Sequence, residues 1–521
     1  MKRKRILAAI AACMLTAALG GCNSPVEKAA GEERLKLTWW TVNYQSAYLS
    51  SYNEVAAFAQ MQEQTGIEIQ FIHPVTGQAS EQFNVMISSK DFPDIIDWQW
   101  EKEYPGGMNK AVSDGVIIKL DNYMQYAPNY QKILEERQDI KNSVKTTDGA
   151  IITFNEIKDD IEINSYLGPC IRKDWLDKLG LEVPQTIDAW YTVLKAFQTM
   201  DPNGNGKADE IPLTAAQDES LQYLSATWGA LKGRFYEKDG RMVYGSIQPE
   251  YREFLQTMHD WYEEGLIDPE FASSSRTNID AKILGDTAGA FVGYMGSQMG
   301  TYLAQRPDMN LVGAPWPKGP DGISYVGMPE MLKTVVPGFG SAISTANRHV
   351  EETMKLLDYN YSEEGMIAQN WGVEGVTYER SGDGFQFLDS VLHDPNGKSP
   401  IETMSPYTLT TWGGYGKIMN GAAYKALMQT YDQQKEAAKI WTQGDTSLLL
   451  PSFPMTAEES LRMSSIMTEA TLYENEMYVK MIMGIEPISG FEEYVARMET
   501  IGIHEVEELY ETAYARYKAQ Q

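Results

Sequence analysis

The stretch Asp201-Pro-Asn203-Gly-Asn205-Gly206-Lys207-Ala-Asp209-Glu210 places oxygen-bearing side chains at its first, third, fifth and ninth positions, with glycine at the sixth. Alternate donors on a tight turn converge on one point, the arrangement a hard cation such as Ca²⁺ requires. The backbone carbonyl of Lys207 would serve at the seventh position, and Glu210 must supply the last carboxylate, because the twelfth position is Pro212. The segment Ile211-Pro212-Leu213 starts no second helix, so a calcium loop is expected but not a helix–loop–helix site. With every donor engaged by the ion, its role would be structural. A second chemistry lies in the rings: Trp40, Tyr44, Trp100, Trp228, Tyr294, Trp316, Trp371, Trp412 and Tyr415 sit beside or near Gly, Thr or Pro. Aromatic faces at element ends suit the CH-rich faces of sugar rings and leave the hydroxyls free to bond. Of these, Trp40, Trp412 and Tyr415 are the leading candidates for stacking. Catalytic constellations are poor. The five histidines, His73, His259, His349, His393 and His504, form no metal-binding pair, and neither a nucleophile elbow nor a glycine-rich phosphate loop is present.

These residues need elements to hold them. Leu35–Trp40 and Ile67–Phe71 alternate like strands, the short run Pro93–Asp97 reads as a buried strand, and Tyr48–Gln64 and Glu81–Ser88 read as helices between them. That order predicts βαβ units. Val116–Leu120 and Ile151–Phe154 read as further short strands. Helices are predicted at Lys173–Gly180, with Gly180 as C-cap, at Thr186–Met200, around Phe254–Tyr262, and at Val350–Glu364. Ala290–Tyr294 is strand-like, and the C-terminal part is helix-rich, ending in an amphipathic helix that carries Val506, Leu509, Tyr510, Ala513, Tyr514 and Tyr517.

The chain has 521 residues, 43% hydrophobic and 22% charged, a globular composition long enough for about three domain-sized units or two enlarged lobes. With 72 acidic against 44 basic residues the formal net charge is −28, which argues against a nucleic-acid partner. Three cysteines, Cys13, Cys22 and Cys170, rule out a disulfide framework. Residues 1–21 carry a basic front, an apolar run and the ending Leu19-Gly20-Gly21 before Cys22. This is a secretory signal that resembles a lipobox, in which Cys22 would be lipidated. Residues 22–34 would then be the lipidated cysteine and a flexible stalk, and the mature protein would be extracytoplasmic, anchored to the membrane by N-terminal lipid.

Taken together, the chain resembles the extracellular solute-binding proteins of bacterial ABC importers, in the lipoprotein group that includes alginate-oligosaccharide binders. The resemblance covers essentially the whole mature chain. It rests on Phe92–Ile96, Ile171–Gly180, the loop Asp201–Glu210, Ile343-Ser344, Val350–Gly365, Asn370–Tyr378, Ile482–Gly484 and Phe491–Tyr494. It implies an α/β type 2 periplasmic-binding-protein fold, two lobes around a ligand cleft with several hinge crossings. The lobes are expected at 35–160 plus 343–395 and at 161–342 plus 396–521, the second carrying the calcium loop. The resemblance also implies Ca²⁺ at Asp201, Asn203, Asn205, Lys207, Asp209 and Glu210, and sugar stacking by Trp412 in the segment Thr408–Tyr415. Tyr294 would stand where those relatives have a second tryptophan. The expected function is capture of an oligosaccharide by a lipid-anchored monomer that delivers it to the transmembrane subunits of an ABC permease, with no catalysis. An extracellular glycoside-active enzyme, which would need a carboxylate pair across the cleft, and a peptide-binding or sensory receptor of the same fold are the alternatives.

Overall fold

A computed structural model describes residues 34–216, 221–328, 331–409 and 414–519. Cys22, the signal and the stalk up to residue 33, and Trp412 lie outside the described residues. Strand β1 (Lys36–Trp40) pairs in parallel with β2 (Glu68–Ile72) and β3 (Ile95–Trp98). These strands alternate with helices Ala56–Thr65 and Ala79–Ser89, as the βαβ reading requires. The sheet is completed by β4 (Thr153–Asn155) and, from far along the chain, by β12 (Gly340–Ile343), which runs antiparallel to both β3 and β4. Its order is β2-β1-β3-β12-β4. Successive side chains of a strand point to opposite faces. Accordingly Leu37, Trp39 and Ile95 enter one apolar core with Phe58, Phe71 and Tyr415, while Trp40 and Ile96 enter another with Phe83, Trp98 and Trp100.

From β4 the chain passes through β5 (Ile157–Lys158) to β6 (Leu167–Arg172), the centre of a second sheet. There β7 (Ile211–Leu213) runs parallel to β10 (Ala288–Tyr294), and both β10 and β11 (Leu311–Gly313) are antiparallel to β6, in the order β11-β6-β10-β7. Between β7 and β10 lies a hairpin of β8 (Phe235–Lys238) and β9 (Arg241–Tyr244). Ile171 and Val292 face one core of this second lobe, Cys170 and Phe291 the other. Helices Ala457–Ile482, Phe491–Ile501 and Ile503–Lys518 pack on the former. A smaller cluster beside the connections gathers Ile163, Trp371, Met419 and Tyr424 around the hairpin β13 (Tyr378–Ser381) and β14 (Gly384–Phe387).

Among the described residues the lobes are therefore joined three times. The chain crosses after β4, returns between β11 and β12, and crosses again after Tyr415 through β15 (Ile418–Met419), which pairs in parallel with β5. Val336, Leu409 and Tyr415 pack in the first lobe, so the returning and final crossings are held from that side. Among the described residues no helix is long and apolar enough to cross a membrane.

Candidate functional site

Helix Ile187–Thr199 is capped by Thr186, whose hydroxyl accepts from the Ala189 N–H at 3.2 Å. It feeds directly into the acidic loop, and β7 starts at the residue after Glu210, so the expected absence of a second helix holds. The loop turns on itself through backbone N–H groups. Asp201 accepts from Gly204, Asn205 and Gly206 at 2.9–3.1 Å, Asn203 Oδ1 accepts from Asn205 at 2.9 Å, and Asn205 Oδ1 accepts from Lys207 at 2.8 Å. The carboxamide nitrogens of Asn203 and Asn205 donate to Asp209 at 3.1 and 3.0 Å. Asp201 adopts φ 45, a left-handed backbone that an aspartate tolerates better than most residues. One atom stands out: Glu210 Oε1 is buried without any hydrogen-bond donor. Burial, then the nearby Asp201 and Asp209, push its carboxyl above its usual range. Among the described residues no three acidic, histidine or cysteine side chains converge as a metal cluster. A cation here would draw on amide and carbonyl oxygens as well.

The structure separates the aromatic candidates. Trp40, Trp100, Trp228, Trp316, Trp371 and Tyr415 are all buried. Trp40 packs edge-on against Trp98, Trp100 lies within 5.6 Å of the Phe83 ring, and Trp371 lies 4.7 Å from that of Phe387. The Tyr415 hydroxyl donates to Gln369 Oε1 at 2.6 Å inside the first core. In this arrangement these rings serve packing. Trp228 touches an outer groove of about 520 Å³, but its walls, helices Ile187–Thr199 and Pro249–Glu263 with Glu264 and Pro320, all belong to the second lobe. Tyr44 and Tyr294 differ. Tyr44 is 40% exposed and meets Phe339 edge-to-face at 6.2 Å. Gly414, with φ 67, lets that ring approach; a Cβ there would sit 2.5 Å from Tyr44 Cε2.

Tyr294 ends the inner strand β10 opposite Leu167, the residue with which β6 begins after the first crossing. Its ring lies 6.1 Å from that of Tyr166, nearly parallel at 8°. The Arg276 guanidinium lies 5.3 Å from the Tyr294 ring and within electrostatic range of Tyr48 in the first lobe. Lys158 Nζ lies 5.7 Å from the Tyr166 ring. Arg276, Tyr294, Tyr166 and Lys158 therefore form a row along the junction of the lobes. Sequence reasoning missed Tyr166, Arg276 and Lys158; a tyrosine following the polar connection between β5 and β6 is the signal that marks Tyr166, and no local signal marks Arg276 or Lys158.

A family model for bacterial extracellular solute-binding proteins matches residues 45–367. The fructooligosaccharide ABC transporter substrate-binding protein FusA of Streptococcus pneumoniae is 31% identical over 367 residues, 67% of this chain and 66% of that protein, about two thirds of its length. The polygalacturonan/rhamnogalacturonan-binding protein YtcQ of Bacillus subtilis is 23% identical over 524 residues, 99% of each chain. Among solved structures, alginate-binding protein AlgQ2 without calcium ion superposes with a TM-score of 0.77 at 24% identity, covering 93% of this chain and 98% of the other. That likeness establishes the two-lobed fold.

Proposed function

The chain belongs to the bacterial extracellular solute-binding proteins, and on that premise we propose that it captures an oligosaccharide between its lobes for import by an ABC transporter. The observation that carries the reading is that FusA and YtcQ, matched over two thirds and over nearly all of this chain, are both named for the carbohydrates they bind. The row Arg276–Tyr294–Tyr166 supports it, because flat rings with hydroxyl edges and a guanidinium supply apolar area and hydrogen bonds together. Tyr44, exposed beside Phe339 and Gly414, is the candidate ring from the first lobe, and Trp412 joins the set by resemblance. A ligand that touches both lobes stabilises their closed arrangement, and the permease would recognise that surface. No bond is broken in this scheme. Tethering by lipid on Cys22 would hold the monomeric receptor at the membrane.

Calcium belongs to the same proposal. The unpartnered Glu210 Oε1 and the Asp201 and Asp209 charges beside it fit a cation. Asp201, Asn203, Asn205, Asp209, Glu210 and the Lys207 carbonyl would hold it. The loop joins the end of helix Ile187–Thr199 to β7, so the ion would brace the far end of the second sheet and leave ligand chemistry to the cleft. The test of the binding reading is Tyr294→Ala, expected to weaken glycan affinity more than about tenfold, roughly 1.4 kcal/mol, with an unchanged melting curve. Equal affinity by calorimetry would remove Tyr294 from the site.

A further inference from the structure

We propose that Glu156 governs how readily the lobes close, as a positioning residue that tunes affinity without touching the ligand; the inference rests on the binding reading above. Glu156 directly follows β4, at the start of the first crossing. It is fully buried, and neither carboxylate oxygen has a hydrogen-bond donor. An ionised group in that condition is among the most unfavourable features a fold can retain.

Its natural partners are close but engaged elsewhere. Lys158 on β5 and Lys417 just before β15 are both buried and within charge range of Glu156. Yet the Lys158 ammonium donates to Asn164 Oδ1, and that of Lys417 donates to the Leu409 carbonyl and lies 5.1 Å from the Tyr415 ring. Burial raises the carboxyl's pKa and pushes both lysines down to about 8, each group resisting charge where it sits. Tyr166, Tyr361 and Tyr415 also feel the Glu156 charge, and Asp97 acts on the latter two.

Position gives this cluster its consequence. The two lysines sit on the paired crossing strands β5 and β15, and Asn164 donates to the Thr334 carbonyl on the returning crossing at 2.9 Å. All three connections meet at the cluster. Away from it the lobes also touch. Glu101 of the first lobe accepts from the Met455 N–H at 3.3 Å, just before helix Ala457–Ile482, and Leu461 of that helix packs on Gly106. The arrangement described is thus one in which the lobes are in contact and Glu156 is sealed from water. Rotation about the crossings would admit water to the carboxylate or bring an ammonium to it. In the sealed arrangement the carboxyl must either hold its charge without a donor or take up a proton, and both cost free energy; closure is therefore penalised, and part of the ligand's binding energy offsets that penalty.

Glu156→Gln keeps the shape and removes the charge. Spin labels on Glu63→Cys and Lys435→Cys, exposed sites in the first and second lobes, report the interlobe distance by electron–electron resonance in the ligand-free protein. Glu156→Gln should shift that distribution toward the short distance, whereas Glu156→Asp, which retains the charge, should not. For a glycan that binds, Glu156→Gln should lower Kd at least fivefold, mainly through slower release. An unchanged distance distribution overturns the proposal even if the variant melts at a higher temperature, and so does weaker binding, which would make the carboxylate a ligand contact. A shifted distribution in a protein that binds no glycan sustains it and refutes only the choice of ligand.

Discussion

Replacing Glu210 with Gln should produce two opposite effects, a more stable metal-free protein and a lost response to calcium. In the metal-free loop Glu210 Oε1 is buried without a donor, and Asp201 and Asp209 stand near it. An unsatisfied buried oxygen costs about 1–3 kcal/mol, and since only part of the carboxylate is enclosed the lower end, about 1 kcal/mol, applies. The neutral amide removes the repulsion and supplies a donor, so the variant's melting temperature without calcium should rise by about 1 °C, since a chain of this length gains roughly 1 kcal/mol per kelvin of unfolding entropy. With calcium the order reverses. Taking a Kd of about 10⁻⁴–10⁻³ M, ordinary for extracellular modules, about 10 mM Ca²⁺ stabilises the native protein by roughly 1.4–2.7 kcal/mol. The wild type should therefore gain about 1–3 °C between chelator and calcium. The assay is scanning calorimetry of the mature domain in chelator, in Ca²⁺ and in Mg²⁺. A wild type that melts identically in chelator and calcium would refute the reasoning, as would a Glu210→Gln variant that keeps the full calcium response.

Two further outcomes follow from packing and protonation. Gly168 lies on the central strand β6 where a Cβ would sit 2.4 Å from the buried Trp441 ring, so Gly168→Ala should destabilise by about 1–3 kcal/mol or more, seen as an earlier urea midpoint with an unchanged slope. The Lys417 ammonium is pushed from 10.5 down to about 8 by burial, so between those values the unfolded chain binds more protons and stability rises with pH. Lys417→Met should remove that rise, up to about 3 kcal/mol between pH 7 and pH 10; parallel melting profiles for variant and wild type across that range would contradict it.

Local chemistry was the legible part of this sequence. The alternation of Lys36–Trp40 and Glu68–Ile72 matches strands whose burial alternates. Gly180 caps its helix in the left-handed conformation with φ 68, and Thr186 starts the next with its side chain. What depends on distant partners was hidden. Val116–Leu120 forms only a single bridge, Ile117 with Ser344, because β4 already pairs with β12 along the rest of that edge. The helix expected through Glu364 breaks at Ser362, whose hydroxyl caps a new helix through Gly365 N–H at 3.0 Å. A ring beside a glycine signals close approach, but the same signal serves a core and a cleft. For Trp316, whose ring would meet a Cβ on Gly327 at 2.7 Å, the approach is core packing. Glu156, Lys158 and Lys417 escaped notice because charged residues read as surface. Only the pairing of β5 with β15, more than two hundred residues apart in sequence, buries them.

The central claim is capture of a carbohydrate between the lobes, and titration calorimetry of the calcium-loaded mature domain against fructan, pectic and alginate oligosaccharides tests it most directly. The account predicts one-to-one binding of one glycan class, a higher melting temperature in its presence, and a shorter interlobe distance. A cooperatively folded protein that binds none of these glycans, while a peptide pool raises its melting temperature, would contradict it.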